Sequence, residues 1–175
     1  LLQIFPQIRQ QRPDLELKVC RYYSMYENNA EVKQICDRAD RMVAQTEGVE
    51  YLGNLNKADL YQEISKSALM VYPGVPDFDE TSCISAIEAQ ACGTPLIASR
   101  KGALIETLDH KAGALIGGDA YSQGYQQEFI ERCFEFLDDP IFYHEAQEAG
   151  KKWVFDNYQY HQIAEEWENN LDLFF

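Results

Sequence analysis

The sequence predicts an α/β fold in which a doubly wound parallel sheet is flanked by helices. Strand-like and helix-like segments alternate about five times along the chain, which is the pattern of parallel strands joined by helical crossovers. Each strand-like segment is short and almost entirely apolar, as expected for strands that helices cover on both faces. The length of 175 residues suits one domain, so residues 1–175 are expected to form a single domain.

The first half of the chain predicts three helices and three strands. Apolar residues at helical spacing predict a helix over 1–11, which Pro13 ends. A second helix begins at Asn28 or Asn29, either of which is a good N-cap, and it ends before Gly48 at about residue 45. The other expected elements are strands at 15–23, 49–55 and 69–73 and a helix at 57–68.

The second half predicts a helix over 82–91 with Thr81 or Ser82 as its N-cap. Ligands of such sheets bind outside the carboxyl ends of the strands, which makes the loops there the place where a site is expected. These loops follow Leu52, Tyr72 and Ser99. The other expected elements are strands at 95–99 and 113–117 and helices at 101–108, 123–137 and 142–175, the last in one or two pieces.

Composition and charge disfavour one class of partner. Hydrophobic residues make up 46% of the chain and charged residues 25%, which is ordinary for a soluble globular protein. The formal net charge is −14. Proteins that bind a phosphate backbone use basic patches, so we expect no nucleic-acid partner, and an anionic membrane surface is disfavoured as well. No apolar run reaches the length of a membrane span.

The cysteines and histidines predict neither a disulfide framework nor a metal site. There are five cysteines, an odd number, at long spacings and with no Cys-x-x-Cys pair. Most of them lie among apolar neighbours, so we expect buried, reduced thiols and a cytoplasmic protein. The three histidines are scattered, at His110, His144 and His161.

One stretch, DFDETSCISAIEAQACGTPLIAS over 77–99, places carboxylates around the start of a helix. The first N–H groups of a helix lack internal partners and its dipole is positive at that end, which suits a phosphate. Glu80 would lie beside that phosphate, and Glu88 could accept hydrogen bonds from the two vicinal hydroxyls of a ribose. Two plainer interpretations remain open, since acids at a helix start often only complement its dipole and a helical Glu usually faces solvent.

The same stretch resembles a known signature. Glu80, seven intervening residues, Glu88 and the run AQACGTPLIAS that follows are similar to the Glu-x7-Glu motif of retaining glycosyltransferases. On this motif and its surroundings, residues 1–140 resemble the C-terminal, donor-binding domain of glycosyltransferase family 4, the Rossmann-like half of a GT-B fold. The surrounding motifs, which agree in order and spacing, are Pro13-Asp14-Leu15-Glu16-Leu17, Tyr51-Leu52-Gly53-Asn54-Leu55, Leu60-Tyr61, Ala68-Leu69-Met70-Val71-Tyr72-Pro73 and Gly102-Ala103 with Glu106.

The resemblance implies a role for each matching residue. Glu80 would be the catalytic residue, near the transferred sugar and the diphosphate, and Glu88 would bind the ribose of a nucleotide-sugar donor. The backbone N–H groups of Ser82 and Cys83 would face the diphosphate or the sugar. No metal or cofactor is implied, because amides and basic side chains neutralise the leaving diphosphate in this family. The other implied donor-binding positions are Thr81, Pro73, Gly102 and the turn Gly53, Asn54 and Leu55, which would lie against the nucleobase.

The resemblance also implies a longer protein. The chain has no initiating Met, and we expect it to lack the N-terminal acceptor domain, so that it should be inactive by itself. Any peripheral membrane association would run through that missing part. The family's Arg and Lys clamp on the diphosphate would also precede residue 1. Arg100 and Lys101 stand at the same sheet edge, where they either add positive charge or are simply solvated.

Other interpretations stay open at this point. Ser82 and Cys83 stand where the family usually has Phe-Gly, so the protein could be a non-catalytic interaction module. The same fold also admits a nucleotide-sugar isomerase or epimerase, although nothing in the sequence marks the extra acid or base residues that it would need. Cys83 beside a helix start could be a nucleophile, although no His is near it in the sequence. The C-terminal aromatic residues either stack on a sugar or base or fill the core and an interface. These residues are Trp153, Phe155, Tyr158, Tyr160 and Trp167.

Overall fold

A computed structural model describes residues 1–20, 30–74 and 79–171 of the chain. The chain divides into two compact units, Leu1–Leu60 and Tyr61–Phe175. Within the described residues each unit has its own parallel sheet, with two strands in the first and three in the second. Helices connect the parallel strands in both units, which confirms the predicted α/β class.

The first unit is built around two paired strands. Its elements are α1 (Phe5–Gln11), β1 (Leu17–Cys20), α2 (Ala30–Gln45) and β2 (Val49–Gly53), and the unit ends within α3 (Lys57–Lys66). β1 and β2 pair in parallel, with Leu17 opposite Val49 and a shift of register after Val19. The buried apolar residues among those described here are Ile4, Phe5, Ile8, Leu17 and Val43.

The start of α1 differs from the prediction for a local reason. The N–H groups of Ile4 and Phe5 both donate to the carbonyl of Leu1, so the chain makes a turn before the helix proper begins. Pro6, in the first turn of α1, has no N–H to lose there and its backbone is preset for a helix. The helix therefore begins at Phe5 rather than at residue 1.

The N-cap can be described for α3 but not for α2. Asn28 and Asn29, the predicted N-caps of α2, lie outside the described residues. For α3 the structure shows a cap that the sequence analysis did not predict, because Asn56 Oδ1 accepts a hydrogen bond from the N–H of Asp59 at 3.0 Å. That bond satisfies one of the amides that a helix start leaves without an internal partner.

The second unit carries a three-stranded parallel sheet in the order β3-β4-β5. β4 is central, and its register places Leu96 opposite Met70 on one side and Gly113 on the other. All four residues of β4 are buried, as predicted for a strand that is covered on both faces. The elements are β3 (Met70–Tyr72), α4 (Ile84–Ala91), β4 (Leu96–Ser99), α5 (Leu104–Thr107), β5 (Gly113–Ile116), α6 (Gln123–Asp138), α7 (Pro140–Asn157) and α8 (Tyr160–Asn170).

Small residues let the elements of this unit approach closely. A Cβ at Gly113 would come within 2.0 Å of the Leu96 carbonyl oxygen, so β5 can pair with β4 at this point only through glycine. In α7, a Cβ at Gly150 would lie 3.2 Å from the Ala112 Cβ and 3.3 Å from Gln90. These contacts fix the spacing of the sheet and of the two helices α4 and α7.

A buried polar side chain on α4 forms hydrogen bonds to the end of α5 and the residues just after it. Gln90 on α4 is almost fully buried and donates from Nε2 to the carbonyls of Ala86 and Thr107, at 3.0 and 2.8 Å. Its Oε1 accepts from the N–H of Asp109 at 3.0 Å. Every polar atom of the buried amide is therefore satisfied, as the cost of burying one without a partner requires.

The C-terminal helices expose part of their aromatic surface. Phe155, Tyr160 and Trp167 are exposed, whereas Trp153 and Tyr158 are half-buried. Core packing therefore accounts for the second pair and not for the three exposed rings. None of the helices in the described residues is long and apolar enough to cross a membrane.

No disulfide joins the five cysteines, and they are less buried than predicted. Cys83 and Cys133 are buried, Cys36 and Cys92 are half-buried, and Cys20 is exposed. The prediction that most of them are buried is therefore wrong. Apolar neighbours in the sequence did not place Cys20 and Cys92 on the inward faces of their elements.

Candidate functional site

Glu80 lies between the end of β3 and the start of α4. Its side chain is half-buried, and its Oε2 accepts a hydrogen bond of 2.7 Å from the hydroxyl of Tyr72, the last residue of β3. Its backbone carbonyl accepts from the N–H of Ala103 at 2.7 Å. Both the main chain and the carboxylate of Glu80 are thus held by neighbouring elements.

Glu88 lies on α4 and accepts a hydrogen bond of 3.1 Å from the hydroxyl of Tyr61 on α3. The buried face of α4 consists of Ala86, Ala89 and Gln90. Helical spacing places Glu88 on the same side as Ile84, which is 60% exposed. The structure thus places the Glu88 carboxylate away from the buried face of α4, half-buried beside α3.

The N-cap of α4 differs from the prediction. The helix begins at Ile84, so Cys83 occupies the cap position, and its side chain makes no capping hydrogen bond. Thr81 and Ser82, the predicted caps, are both exposed and lie too early in the chain to cap it. The prediction is wrong because a tight turn, from the N–H of Ile84 to the carbonyl of Ser82 at 3.0 Å, comes before the helix. The first helical bond runs from the N–H of Ile87 to the carbonyl of Cys83 at 3.4 Å.

The amides that precede α4 lack protein acceptors in the described part of the chain. None of the described residues accepts a hydrogen bond from the N–H of Ser82 or Cys83. Orphan amides at the positive end of a helix dipole are a common arrangement for binding an anion. Such amides, with Glu80 immediately before them, are compatible with the diphosphate position that the resemblance implies.

The Cys83 side chain is buried at 3% exposure beneath this turn. Burial raises the pKa of its thiol, the amide of Ala86 lowers it, and the charge of Glu80 raises it further. A reactive cysteine needs a lowered pKa and access to solvent, and this one has neither. The interpretation of Cys83 as a nucleophile therefore finds no support, and the side chain is part of the core below β3 and β4.

Gly102 lies directly against Glu80. Its φ of +48° is one that residues with a side chain rarely adopt, and a Cβ there would lie 2.2 Å from the Glu80 carbonyl oxygen. Glycine is therefore required for the loop after β4 to approach the loop after β3. The structure brings together Glu80 and Gly102, two of the positions that the resemblance implies.

The start of the loop after β3 is fixed by a second set of bonds. Pro73 follows β3 and is half-buried, and the N–H of Gly74 donates to Ser99 Oγ at 2.7 Å. Ser99 Oγ also lies 2.6 Å from the hydroxyl of Tyr125, and both side chains are buried. The loops that leave β3 and β4 are therefore joined at their first residues as well as at Glu80 and Gly102.

The two basic residues after β4 differ from each other. Lys101 has a side chain only 21% exposed, and its Nζ lies 3.5 Å from Asp79 Oδ1. Arg100 is exposed. The interpretation as a simply solvated residue therefore holds for Arg100 alone. Lys101 is instead paired with Asp79, the residue that precedes Glu80 in the chain. Asp77, the first carboxylate of the quoted stretch, lies outside the described residues.

The turn Gly53, Asn54 and Leu55 belongs to the first unit, unlike the other predicted site residues. Gly53 ends β2 with a φ of +68°, a conformation that favours glycine. Asn54 is exposed and Leu55 is half-buried. The turn exists as predicted, and its role against a nucleobase stays a prediction.

The described residues hold no group of three or more His, Cys, Asp or Glu side chains that could bind a metal ion. The expected independence from metal stays a prediction. Two functional groups were not predicted from the sequence, the hydroxyls of Tyr61 and Tyr72, each of which donates to one of the two carboxylates. A signal existed for Tyr72, because a tyrosine that ends an apolar strand places its polar tip at the carboxyl edge of the sheet.

The fold is that of the α/β, Rossmann-like domain of GT-B glycosyltransferases, and the comparisons with known proteins agree. Residues 1–153 match the family described as "Glycosyl transferases group 1". The chain belongs to that family.

Similar proteins carry glycosyltransferase names. Over 98% of this chain, it is 26% identical to the GDP-mannose-dependent monoacylated alpha-(1-6)-phosphatidylinositol monomannoside mannosyltransferase of Corynebacterium glutamicum, of which it covers 42%. Over a shorter segment, 26% of this chain and 10% of the relative, it is 48% identical to the D-inositol 3-phosphate glycosyltransferase of Stackebrandtia nassauensis. The chain thus spans less than half the length of these relatives.

Solved structures share the fold. The sucrose-phosphate synthase of Thermosynechococcus elongatus superposes with a TM-score of 0.73 at 21% identity, covering 99% of this chain and 42% of that protein. A glycosyltransferase from Rickettsia africae gives a TM-score of 0.70 at 18% identity, with 98% and 42% of the two chains covered. At these identities the likeness establishes the fold alone.

Proposed function

We propose that the chain is the donor-binding half of a glycosyltransferase that moves a sugar from a nucleotide-sugar to an acceptor. The observation that carries the proposal is the loop before α4, where the half-buried Glu80 is followed in the chain by the amides of Ser82 and Cys83, which have no acceptor among the described residues. Family membership supplies the class of reaction. The chain spans 42% of the mannosyltransferase it resembles, so the acceptor site is assigned to the remaining part of the protein.

In the proposed reaction the bond between the sugar C1 and the diphosphate oxygen breaks. The diphosphate leaves with the electron pair, and the amides before α4 and the positive end of the helix dipole stabilise its charge. The acceptor hydroxyl forms the new bond to C1, and its proton passes to the leaving diphosphate. We propose retention of configuration at C1, in keeping with the Glu-x7-Glu spacing of Glu80 and Glu88.

The two carboxylates would have separate tasks. Glu80 would accept a hydrogen bond from the transferred sugar, and Glu88 would accept from the ribose hydroxyls. Each carboxylate uses one oxygen for a tyrosine hydroxyl, from Tyr72 and Tyr61 respectively. A carboxylate has about four lone-pair sites, which leaves acceptor capacity for a ligand.

A titration of the 175-residue chain followed by ¹⁵N NMR tests the proposal. UDP, GDP, UDP-glucose and GDP-mannose are added to millimolar concentration, at which weak binding is still visible. We expect at least one of them to shift the amides of Ser82, Cys83 and Ile84, and Glu88→Gln to weaken that ligand about tenfold, since hydrogen bonds to a charged group contribute about 1.5–3 kcal/mol.

Glu145→Gln is the matched control, because Glu145 is an exposed carboxylate on α7. It should bind as the unaltered chain does. The proposal fails if none of the four ligands shifts the amides before α4. It also fails if Glu88→Gln and Glu145→Gln bind the ligand equally well, because Glu88 would then have no part in donor binding.

A further inference from the structure

We propose that Tyr72 is a positioning residue that aims the Glu80 carboxylate at the sugar of the donor. The inference rests on the proposed function and adds to it a residue outside the Glu-x7-Glu motif. Its starting point is the hydrogen bond of 2.7 Å from the Tyr72 hydroxyl to Glu80 Oε2.

Tyr72 is itself held firmly. It is the last residue of β3 and pairs with Ala98 on the central strand. Its ring packs against the buried cluster under the sheet, which includes Cys83 and Leu104. Because the ring is fixed in this way, the Tyr72 hydroxyl keeps one position and donates its hydrogen bond to Glu80 from a constant direction.

The backbone of Glu80 is fixed from the other side. Its carbonyl accepts from Ala103, and Gly102 packs against the same peptide group. A glutamate side chain has several rotatable bonds, and freezing them costs entropy unless a partner selects one conformation. With the backbone held by the loop after β4 and Oε2 held by Tyr72, the position of Oε1 is determined as well.

The hydroxyl remains a donor over the working pH range. Burial raises the pKa of Tyr72, and its hydrogen bond to Glu80 raises it further. Among the described residues, Tyr72 is the one that binds the Glu80 carboxylate, which leaves Oε1 for a ligand hydroxyl. The corresponding pair at Glu88 is different, because the Tyr61 ring that serves it is exposed on α3.

The test measures what the sugar adds to binding. Calorimetry on the 175-residue chain gives the dissociation constants of UDP and UDP-glucose, and of GDP and GDP-mannose, and the ratio within a pair is the contribution of the sugar. In Tyr72→Phe we expect that ratio to fall about tenfold, the loss expected for a misplaced charged acceptor. The dissociation constant of the nucleoside diphosphate alone should change less than about twofold, since the amides before α4 remain.

Tyr143→Phe is the matched control, because Tyr143 on α7 is also half-buried and the substitution removes the same hydroxyl. It should keep the ratio of the unaltered chain. A double-mutant cycle adds the decisive readout. Once Glu80→Ala is present, Tyr72→Phe should cause no further loss, because a residue that acts through the side chain of Glu80 has nothing left to position.

Several outcomes would overturn the inference. Additive effects of Tyr72→Phe and Glu80→Ala, or an equal loss of diphosphate and nucleotide-sugar affinity, would make Tyr72 a structural residue only. The inference would also be overturned if the unaltered chain bound the nucleoside diphosphate and the nucleotide-sugar with equal dissociation constants, because the sugar would then contribute nothing to binding. If Tyr72→Phe does not fold, Glu80→Asp serves instead, because it withdraws the carboxylate from the Tyr72 hydroxyl by one methylene. An unchanged ratio of dissociation constants in Glu80→Asp would likewise overturn the inference.

The failure of the proposed function gives a different result. In that case neither nucleoside diphosphate binds the unaltered chain, and no ratio can be formed. If a diphosphate binds and the ratio does not depend on Tyr72, the proposed function stands and the positioning role falls.

Discussion

The central strand of the second unit is buried to a greater extent than either strand of the first. All four residues of β4 in the second unit are buried, whereas no residue of β2 in the first unit is. Tertiary packing supplies most of the stability of strands and helices, so the second unit is expected to resist local opening more strongly. Glu80 and Glu88 belong to that unit, and the turn Gly53–Leu55 belongs to the other. The two carboxylates therefore belong to the unit that is expected to resist local unfolding, and the proposed nucleobase turn belongs to the unit that is expected to open more easily.

The largest expected effect breaks the sheet of the second unit. Gly113→Ala would place a Cβ 2.0 Å from the Leu96 carbonyl oxygen, so the backbone of β4 or β5 must shift. We expect a loss of about 3–4 kcal/mol in the free energy of unfolding, the upper end for a single substitution, measured by urea denaturation. Gly124→Ala is the control, since a Cβ there meets nothing within 4 Å, and it should change stability by less than about 1 kcal/mol. Equal stabilities would contradict the close pairing of β4 and β5.

A matched pair of leucines compares the two units directly. Leu96 is 0% exposed in β4, and Leu17 is 8% exposed in β1. Leu96→Ala should cost about 3–5 kcal/mol and Leu17→Ala about 2 kcal/mol, because the cost of a cavity grows with the completeness of packing around it. Urea denaturation measures both. A larger loss at Leu17 would reverse the comparison.

The third effect is a dependence on pH that comes from the second unit. Burial raises the pKa of the Cys133 thiol to about 12. The folded state therefore holds this proton more tightly than the unfolded state, so the stabilisation is complete below the unfolded pKa of about 8.5 and is lost as pH rises toward 12. The free energy of unfolding should fall by about 1.4 kcal/mol per pH unit above pH 9 on account of this thiol. Cys133→Ala should flatten the slope by that amount in denaturation measured between pH 7.5 and 10.5, and an unchanged slope would mean that the thiol ionises without unfolding.

The smallest effect concerns the end of the first unit. Asn56→Ala removes the bond to the N–H of Asp59 and should cost about 1 kcal/mol, the usual value of a helix cap. The neighbouring Asn54→Ala is the control, since Asn54 is exposed and precedes the cap position. Thermal unfolding followed by circular dichroism compares the two. If both lose the same stability, Asn56 does not cap α3.

Much of this fold could be predicted from the sequence because its signals are local. Short apolar runs such as Leu96–Ser99 were found close to their true bounds, since burial on both faces needs an uninterrupted apolar run. Starts of helices were less certain. The start of α4 was predicted at Ser82 on the preference of Ser and Thr for caps, whereas a tight turn onto the Ser82 carbonyl moves the cap to Cys83 and the start to Ile84.

The candidate site was predictable in its charges and not in its contacts. Glu80 and Glu88 were singled out by their spacing and their place beside a predicted helix start. Their tyrosine partners were not, because the bond from Tyr61 to Glu88 spans 27 residues and depends on how α3 packs beside α4. A contact of that kind leaves no periodic trace in the sequence. The same reason explains why the tight approach of Gly102 to Glu80 came only from the structure.

That approach has a consequence for anyone who alters the proposed donor site. The peptide groups at 80 and 102 touch, so a side chain introduced at Gly102 has to move the Glu80 carbonyl before it can reach a ligand. The two positions are mechanically one unit, and a library that randomises position 102 alone would return mostly damaged proteins. Randomising residues 80–82 together with 102 would let the loop after β3 change its conformation to accommodate a side chain at position 102.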